Sequence, residues 1–133
     1  MKTCGNYKIL NDPKRNANYK TVESVPFCDS TTSSWAPKSA DWKGKSWYRF
    51  QFPAGTRIPE YVVPHIHCGT YATGWLNGTH PTEYGNVSEA TVCFHYTKSK
   101  CQWTTQIQIL NCGQYFLYQL QDAPECRMKF CGV

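Results

Sequence analysis

Hydrophobic and polar side chains alternate along several short segments of the chain, and this two-residue period is typical of β-strands. The segment SWYRFQF, residues 46–52, places Tyr48, Phe50 and Phe52 on one face. Helical periodicity is almost absent. The pattern therefore predicts a mainly β, antiparallel domain with long N-terminal loops. Five further strand candidates, rich in β-branched or aromatic residues, cover 60–68, 89–96, 102–110, 114–120 and 125–131.

Two stretches do not alternate in this way. Residues 11–45 are polar and rich in Asn, Ser, Lys and Pro, and they include a predicted surface loop, residues 30–45, that carries Trp35 and Trp42. Residues 69–85 contain four glycines and one proline, so we interpret them as turn-rich.

The chain has 133 residues with no interdomain linker, and we expect one domain spanning 1–133. No apolar run is long enough for a transmembrane helix, so we expect no membrane insertion. The N-terminus lacks the apolar core of a secretory signal, and we interpret Met1 as a start placed on a stand-alone mature domain. The net charge of +5 is scattered, which is typical of a solvated surface and does not favour nucleic acid.

The cysteines define the compartment more clearly than the charge does. There are eight, dispersed along the chain without a C-x-x-C pair, which predicts four disulfides in an oxidising, extracellular setting. Spacing alone allows about 105 pairings. Two sequons, beginning at Asn77 and Asn86, are candidate N-glycosylation sites in a secreted protein.

Several strings together resemble one family of extracellular domains. They include WYRF at 47–50, VPHIHCGT at 63–70, GWLNGTHP at 74–81 and APEC at 123–126. With the cysteine spacing, these strings are similar to the uromodulin-type eight-cysteine domain over nearly the whole chain.

The resemblance implies a disulfide pairing and also marks a difference. In family members a sequon offers a glycan to microbial adhesins at the position of Gln119, and this chain has no sequon there. The segment between Cys28 and Trp47 is also longer than in the family. The implied pairs are Cys4–Cys112, Cys28–Cys126, Cys68–Cys131 and Cys93–Cys101.

No motif indicates catalysis or a resident metal. The string HIHC, residues 65–68, has zinc-like spacing, but Cys68 belongs to the disulfide framework. Ser46, His80 and Glu83 lack a nucleophile-elbow sequence that would support a triad. We therefore expect no enzyme, no cofactor and no metal site.

Carbohydrate recognition is the chemistry that the aromatic loops favour. An aromatic ring can stack on the C–H face of a sugar while nearby polar groups bond its hydroxyls. Trp75 beside Asn77 either braces a glycan-carrying turn or forms such a platform, and we favour the brace. The other candidates are Trp35, Asp41 and Trp42 with Lys38 or Lys43, and a second patch of His80, Glu83 and Tyr84.

The sequence thus predicts a secreted lectin with a defence or adhesion role, and a homo-oligomer is possible. Its expected partners are glycans or glycoproteins on microbial or cell surfaces. The alternative is a non-lectin extracellular module, either a glycan-bearing decoy or a structural piece of a larger glycoprotein. A lectin needs a site on the bare polypeptide, whereas a decoy needs an occupied sequon.

Overall fold

The computed structural model describes residues 2–32 and 35–133, so Met1, Ser33 and Ser34 lie outside the described residues. In the described part, the chain forms one β-sheet and a short 3₁₀ helix at Pro13–Arg15. The strands are β1 (Lys8–Leu10), β2 (Ser46–Phe50), β3 (Ala72–Asn77), β4 (Val87–Tyr96), β5 (Ser99–Asn111), β6 (Phe116–Leu120) and β7 (Met128–Phe130).

The strand order across the sheet is β1-β2-β6-β5-β4-β3-β7. Four neighbouring pairs are antiparallel. However, β1 is parallel to β2, and β3 is parallel to β7. The sheet is therefore mixed, and the prediction of an antiparallel sheet is wrong in this respect. Parallel neighbours need a long crossover, which residues 11–45 provide between β1 and β2.

Alternation located four strands well. Residues 46–52, 89–96, 102–110 and 114–120 coincide with β2, β4, β5 and β6. The candidate at 125–131 contains only the three-residue strand β7. In the long strand β5, Thr105, Ile107 and Ile109 are buried on one face, as a two-residue period requires.

The strand predicted at 60–68 is wrong. Ile66 and Cys68 have φ angles of 60° and 59°, in the left-handed region that an extended strand cannot use. Within this segment only an isolated bridge forms, between His67 and Lys20. The β-branched composition of the segment reflects burial of Val63 rather than strand pairing.

The opposite error concerns residues 69–85, because the first half of this turn-rich stretch contains β3. A Cβ atom on Gly74 would lie 2.8 Å from the carbonyl oxygen of Lys129 in the neighbouring strand β7. The glycine therefore marks a close approach of two backbones rather than a turn. Leu76, on the same face, is fully buried in the main core.

The sheet curls so that its two sides approach each other. The ring of Trp42 stacks on Tyr48 of β2, with centroids 4.9 Å apart, and on Phe130 of β7 at 5.8 Å. In a flat sheet these two strands would be roughly 24 Å apart, at about 4.8 Å per neighbouring pair. The N-terminal segment thus fills the concave side of the sheet and supplies Trp42 to its core.

Four disulfides fix this arrangement, and all eight cysteines are paired. The pairs are the ones that the family resemblance implied. Three of them connect residues far apart in sequence, while the fourth lies across the β4–β5 hairpin. They are Cys4–Cys112, Cys28–Cys126, Cys68–Cys131 and Cys93–Cys101.

Candidate functional site

Trp42, predicted as part of an exposed sugar platform, is a core residue. Its ring has 0% exposure, and its Nε1–H donates to Asp122 Oδ1 at 2.9 Å. A ring packed between Tyr48 and Phe130 presents no face to a ligand. The prediction of an exposed Trp42 is therefore wrong, because burial of so large an apolar surface stabilises the fold.

Asp41 is also unsuited to the predicted role. Its carboxylate is 8% exposed and accepts hydrogen bonds from Arg15 Nε at 3.1 Å and from the Asp12 backbone N–H at 3.0 Å. Burial disfavours its charge, but the adjacent Arg15 guanidinium outweighs this effect and holds the pKa of Asp41 below its usual value. Asp41 is thus an engaged buried ion and not a free sugar ligand.

Arg15 is the centre of this buried ionic cluster, which the sequence did not indicate. Its guanidinium contacts the carboxylates of both Asp29 and Asp41, and it donates to the carbonyl oxygen of Phe130 at 2.9 Å. Burial disfavours the cation, but the two carboxylates outweigh that cost and raise the pKa of Arg15. The cluster ties the N-terminal segment to β7.

An open cleft of about 610 Å³ lies beside this cluster. Of the two predicted lysines, Lys43 lines the cleft, whereas Lys38 donates to the carbonyl oxygen of Trp42 at 2.6 Å. The cleft has no aromatic ring among its described lining residues, so it lacks the stacking face that a sugar platform requires. It is lined by Ile9, Asn11, Asp12, Pro13, Ala40, Asp41 and Lys43.

The second predicted patch is divided between the surface and the interior. Glu83 and Tyr84 are exposed, and Tyr84 is 75% accessible. His80 is buried with only 6% exposure, so its assignment to a surface patch is wrong. The structure therefore does not bring the three side chains together as one sugar site.

His80 instead belongs to an internal hydrogen-bonded chain. Its Nδ1 lies 2.5 Å from Glu60 Oε2, its Nε2 lies 2.6 Å from the Tyr118 hydroxyl, and that hydroxyl accepts from the Ile58 N–H at 3.1 Å. A neutral imidazole with its proton on Nδ1 satisfies every contact, since Tyr118 then donates to Nε2. Burial lowers the pKa of His80, and Arg57 lowers it further, although Glu60 opposes both.

The two sequons lie at the two ends of the loop that joins β3 to β4. Asn77 is the last residue of β3, Asn86 directly precedes β4, and both are exposed. Thr79 of the first sequon is exposed as well. Because β3 and β4 are antiparallel neighbours, both asparagines lie at the same end of the strand pair.

Trp75 lies two residues before Asn77 and on the same face of β3. It is half-buried against a small cluster that includes Val63 and Cys68, and its Nε1–H donates to the carbonyl oxygen of Lys100 at 2.8 Å. These contacts agree with the interpretation of Trp75 as a brace beneath the sequon.

Trp35 is the one tryptophan of the predicted platform that stays on the surface, with 52% exposure. Its ring lies 5.8 Å from the Arg127 guanidinium, whose other ring neighbour is Tyr96 at 5.6 Å. Arg127 also pairs with Glu125 at 3.0 Å. No sequence signal joins these residues, because Trp35 and Arg127 are distant along the chain.

Neither a metal centre nor a membrane span occurs in the part of the chain that the structure describes. Within residues 2–32 and 35–133, no three His, Cys, Asp or Glu side chains are arranged to hold a metal ion. Over the same residues, no helix has the length and apolar character needed to cross a membrane.

The disulfide pairing, the sequon loop and the mixed sheet agree with one known family. A family model described as the uromodulin-like domain with eight cysteines matches residues 48–132. The chain belongs to this family. As a uromodulin-like domain, it combines a mainly β fold with four disulfides.

Relatives extend the match beyond the part that the family model covers. The chain is 34% identical over 129 residues to the pancreatic secretory granule membrane major glycoprotein GP2 of Canis lupus familiaris, covering 96% of this chain and 23% of that protein. It is 35% identical over 129 residues to uromodulin of Rattus norvegicus, covering 96% of this chain and 18% of that protein. The chain thus spans about a fifth of the length of these relatives.

Proposed function

We propose that this uromodulin-like domain is a secreted, glycan-bearing recognition module whose N-linked glycans extend from Asn77 and Asn86. The observation that carries the proposal is the position of both exposed sequons at the two ends of one loop. Attachment at these positions would direct two glycans away from the same end of the β3–β4 pair. A partner that binds glycans could then contact both.

Two further features support a module of this kind. The disulfide-rich fold suits an oxidising extracellular compartment, and the relatives include a protein named as a secretory granule glycoprotein. Because the chain spans about a fifth of the relatives, it corresponds in length to one part of a larger glycoprotein. Gln119, where the resemblance expects a sequon, lies on β6 opposite Gln108, so presentation would depend on other positions.

Intact mass measurement tests this proposal directly. The chain is secreted from a eukaryotic cell line, and its mass is measured before and after removal of N-linked glycans. We expect a glycan mass shift that decreases in Asn77→Gln and Asn86→Gln and disappears in the double variant. Secreted, folded protein without any shift, from cells that glycosylate a control protein, would overturn the proposal.

Glycan binding by the polypeptide itself is the second candidate function. It is favoured by the half-exposed ring of Trp35 beside the Arg127–Glu125 pair. Such activity would make the domain a lectin, and it does not require an occupied sequon. Binding of protein without its own glycans to an array of immobilised glycans tests this function independently of the first.

A further inference from the structure

We propose that Trp35, Tyr96, Glu125 and Arg127 form a binding site for neutral hexopyranose sugars. The inference rests on the second function above, glycan binding by the polypeptide, and it specifies both the site and the sugar class. The four side chains provide an apolar plate, a hydrogen-bond acceptor and several hydrogen-bond donors. These are the elements that a sugar site needs.

The exposed ring of Trp35 supplies the apolar plate. The same loop buries Trp42 completely, while Trp35 remains 52% exposed. The guanidinium of Arg127 lies 5.8 Å from the Trp35 ring and 5.6 Å from the Tyr96 ring, so both aromatic side chains are held against a fixed cation. An ordered, exposed indole face can stack on the C–H groups of a pyranose ring.

The backbone at Arg127 is strained, and this strain orients the side chain. Arg127 has a φ angle of 115°, which is rare for a residue with a Cβ atom. Its N–H donates to Cys28 Sγ at 3.3 Å, and its carbonyl oxygen accepts from the Ala72 N–H at 2.8 Å. Such outliers persist where the surroundings fix them, and they cluster at ligand sites.

The charge balance of the site favours a neutral ligand over an acidic one. Glu125 Oε1 lies 3.0 Å from the Arg127 guanidinium, so the positive charge already has a partner. Both side chains are partly accessible, at 32% for Arg127 and 43% for Glu125. A carboxylate accepts from one sugar hydroxyl while the guanidinium donates to its neighbour, which suits a vicinal pair of hydroxyls.

The aromatic surface continues past this pair. The ring of Tyr96 contacts that of Trp103, with centroids 5.7 Å apart, and both rings are half-buried. Tyr96 ends strand β4 and Trp103 lies on β5, so the rigid hairpin supports the far side of the site. A short oligosaccharide could therefore contact this hairpin end as well as Trp35.

A glycan array with matched variants tests the proposal. The oxidised chain carrying Asn77→Gln and Asn86→Gln, so that its own glycans cannot interfere, is biotinylated and assembled on streptavidin. The array displays neutral glycans ending in mannose, galactose or glucose beside sialylated and sulfated ones. We expect binding to a neutral hexose class and at least a tenfold loss of apparent affinity for Trp35→Ala and for Glu125→Gln.

The controls separate a lost site from a lost fold. Tyr84→Ala removes another exposed aromatic ring and should bind as the parent protein does. Trp35→Phe keeps an aromatic face and should retain more binding than Trp35→Ala. Near-ultraviolet circular dichroism and the thermal midpoint should show that all variants are folded.

The outcomes distinguish this inference from the functions on which it builds. A blank array from folded protein would overturn both the site and lectin activity, while leaving glycan presentation at Asn77 untouched. Binding that survives Trp35→Ala, or that prefers acidic glycans, would overturn this site alone. A dimer in sedimentation that Trp35→Ala dissolves, without sugar binding, would overturn the sugar site and assign the surface to a second copy of the chain instead.

Discussion

The guanidinium of Arg15 forms two hydrogen bonds with the carboxylate of Asp29, at 2.6 and 3.0 Å, and both side chains are fully excluded from solvent. Asp29 also accepts from the Phe130 N–H at 2.8 Å. This pair joins the N-terminal segment to strand β7, two parts of the chain that share no local connection.

Breaking this pair should destabilise the protein strongly. Asp29→Asn keeps the shape but leaves the Arg15 cation with fewer negative partners, and we expect a loss of about 3–5 kcal/mol. Urea unfolding of the oxidised protein, followed by tryptophan fluorescence, measures the change. As a control, Glu23→Gln disrupts the more accessible Lys14–Glu23 pair and should cost less than about 1 kcal/mol. Equal losses would contradict a special role for the buried pair.

The chain of contacts around His80 should make stability depend on pH. Burial lowers the pKa of His80 in the folded state, so the unfolded chain binds a proton more readily. This contribution is therefore fully present above about pH 6.5, the ordinary imidazole pKa, and is lost as the pH falls below that value. Protonation of Nε2 would also leave the Tyr118 hydroxyl proton without an acceptor in this chain of contacts.

Unfolding free energies between pH 5 and 8 check this expectation. His80→Gln should be less stable at pH 8 but should lose less stability on acidification than the parent protein does. Hydrogen bonds from His80 lower the pKa of Glu60, and its effect should appear only below about pH 4.5, outside this window. Parallel pH profiles for both proteins would show that His80 is not the responsible group.

Lys129 is a buried cation whose removal should stabilise the protein. Its side chain has 0% exposure, and Nζ has no hydrogen-bond partner among the described residues. Burial, with a further effect from Arg15, lowers the pKa of Lys129 to about 8. Lys129→Met fills the same space without the charge, and we expect a gain of about 1–3 kcal/mol at pH 7.

This gain should shrink as the pH rises from 7 to 9.5. Lys129 loses its proton earlier in the folded state than in the unfolded chain, so the parent protein gains stability over this range. Urea unfolding at both pH values measures the difference. Lys8→Met, at an exposed position on β1, should change stability by less than about 0.5 kcal/mol. A destabilised Lys129→Met variant would mean that the ammonium group is well compensated.

The four disulfides should differ in their contributions. In the chain-entropy description, the short Cys93–Cys101 loop contributes about 2.5 kcal/mol and the long Cys4–Cys112 loop about 5 kcal/mol. The residues of these pairs are separated by 8 and 108 positions. Replacing each pair with alanine and measuring thermal unfolding should give the larger loss for Cys4–Cys112. The reverse order would indicate that the hairpin depends on its bridge for folding.

Local features of the sequence were sufficient for a large part of the fold. Alternation located β2, β4, β5 and β6 because each has a core face and an outer face. The even number of dispersed cysteines indicated four disulfides, and the family resemblance supplied their pairing. Both sequons are visible in the sequence, since a sequon is defined by three consecutive residues.

Other features depend on contacts between distant residues, and the sequence alone did not reveal them. Strand β3 resembles a turn because its Gly74 accommodates β7, which lies more than fifty residues later. Parallel pairing at both ends of the sheet likewise depends on crossovers that no local pattern records.

The candidate site shows the same division. The sequence placed Trp35 and Trp42 in one polar loop and could not separate their roles. Trp42 is buried because the curled sheet brings Tyr48 and Phe130 to either side of it, whereas Trp35 stays at the surface beside Arg127. Residue types and spacing determined the class of fold and the glycosylation signals. Tertiary packing decided which aromatic rings stabilise the core and which can meet a ligand, because burial depends on the whole surrounding structure.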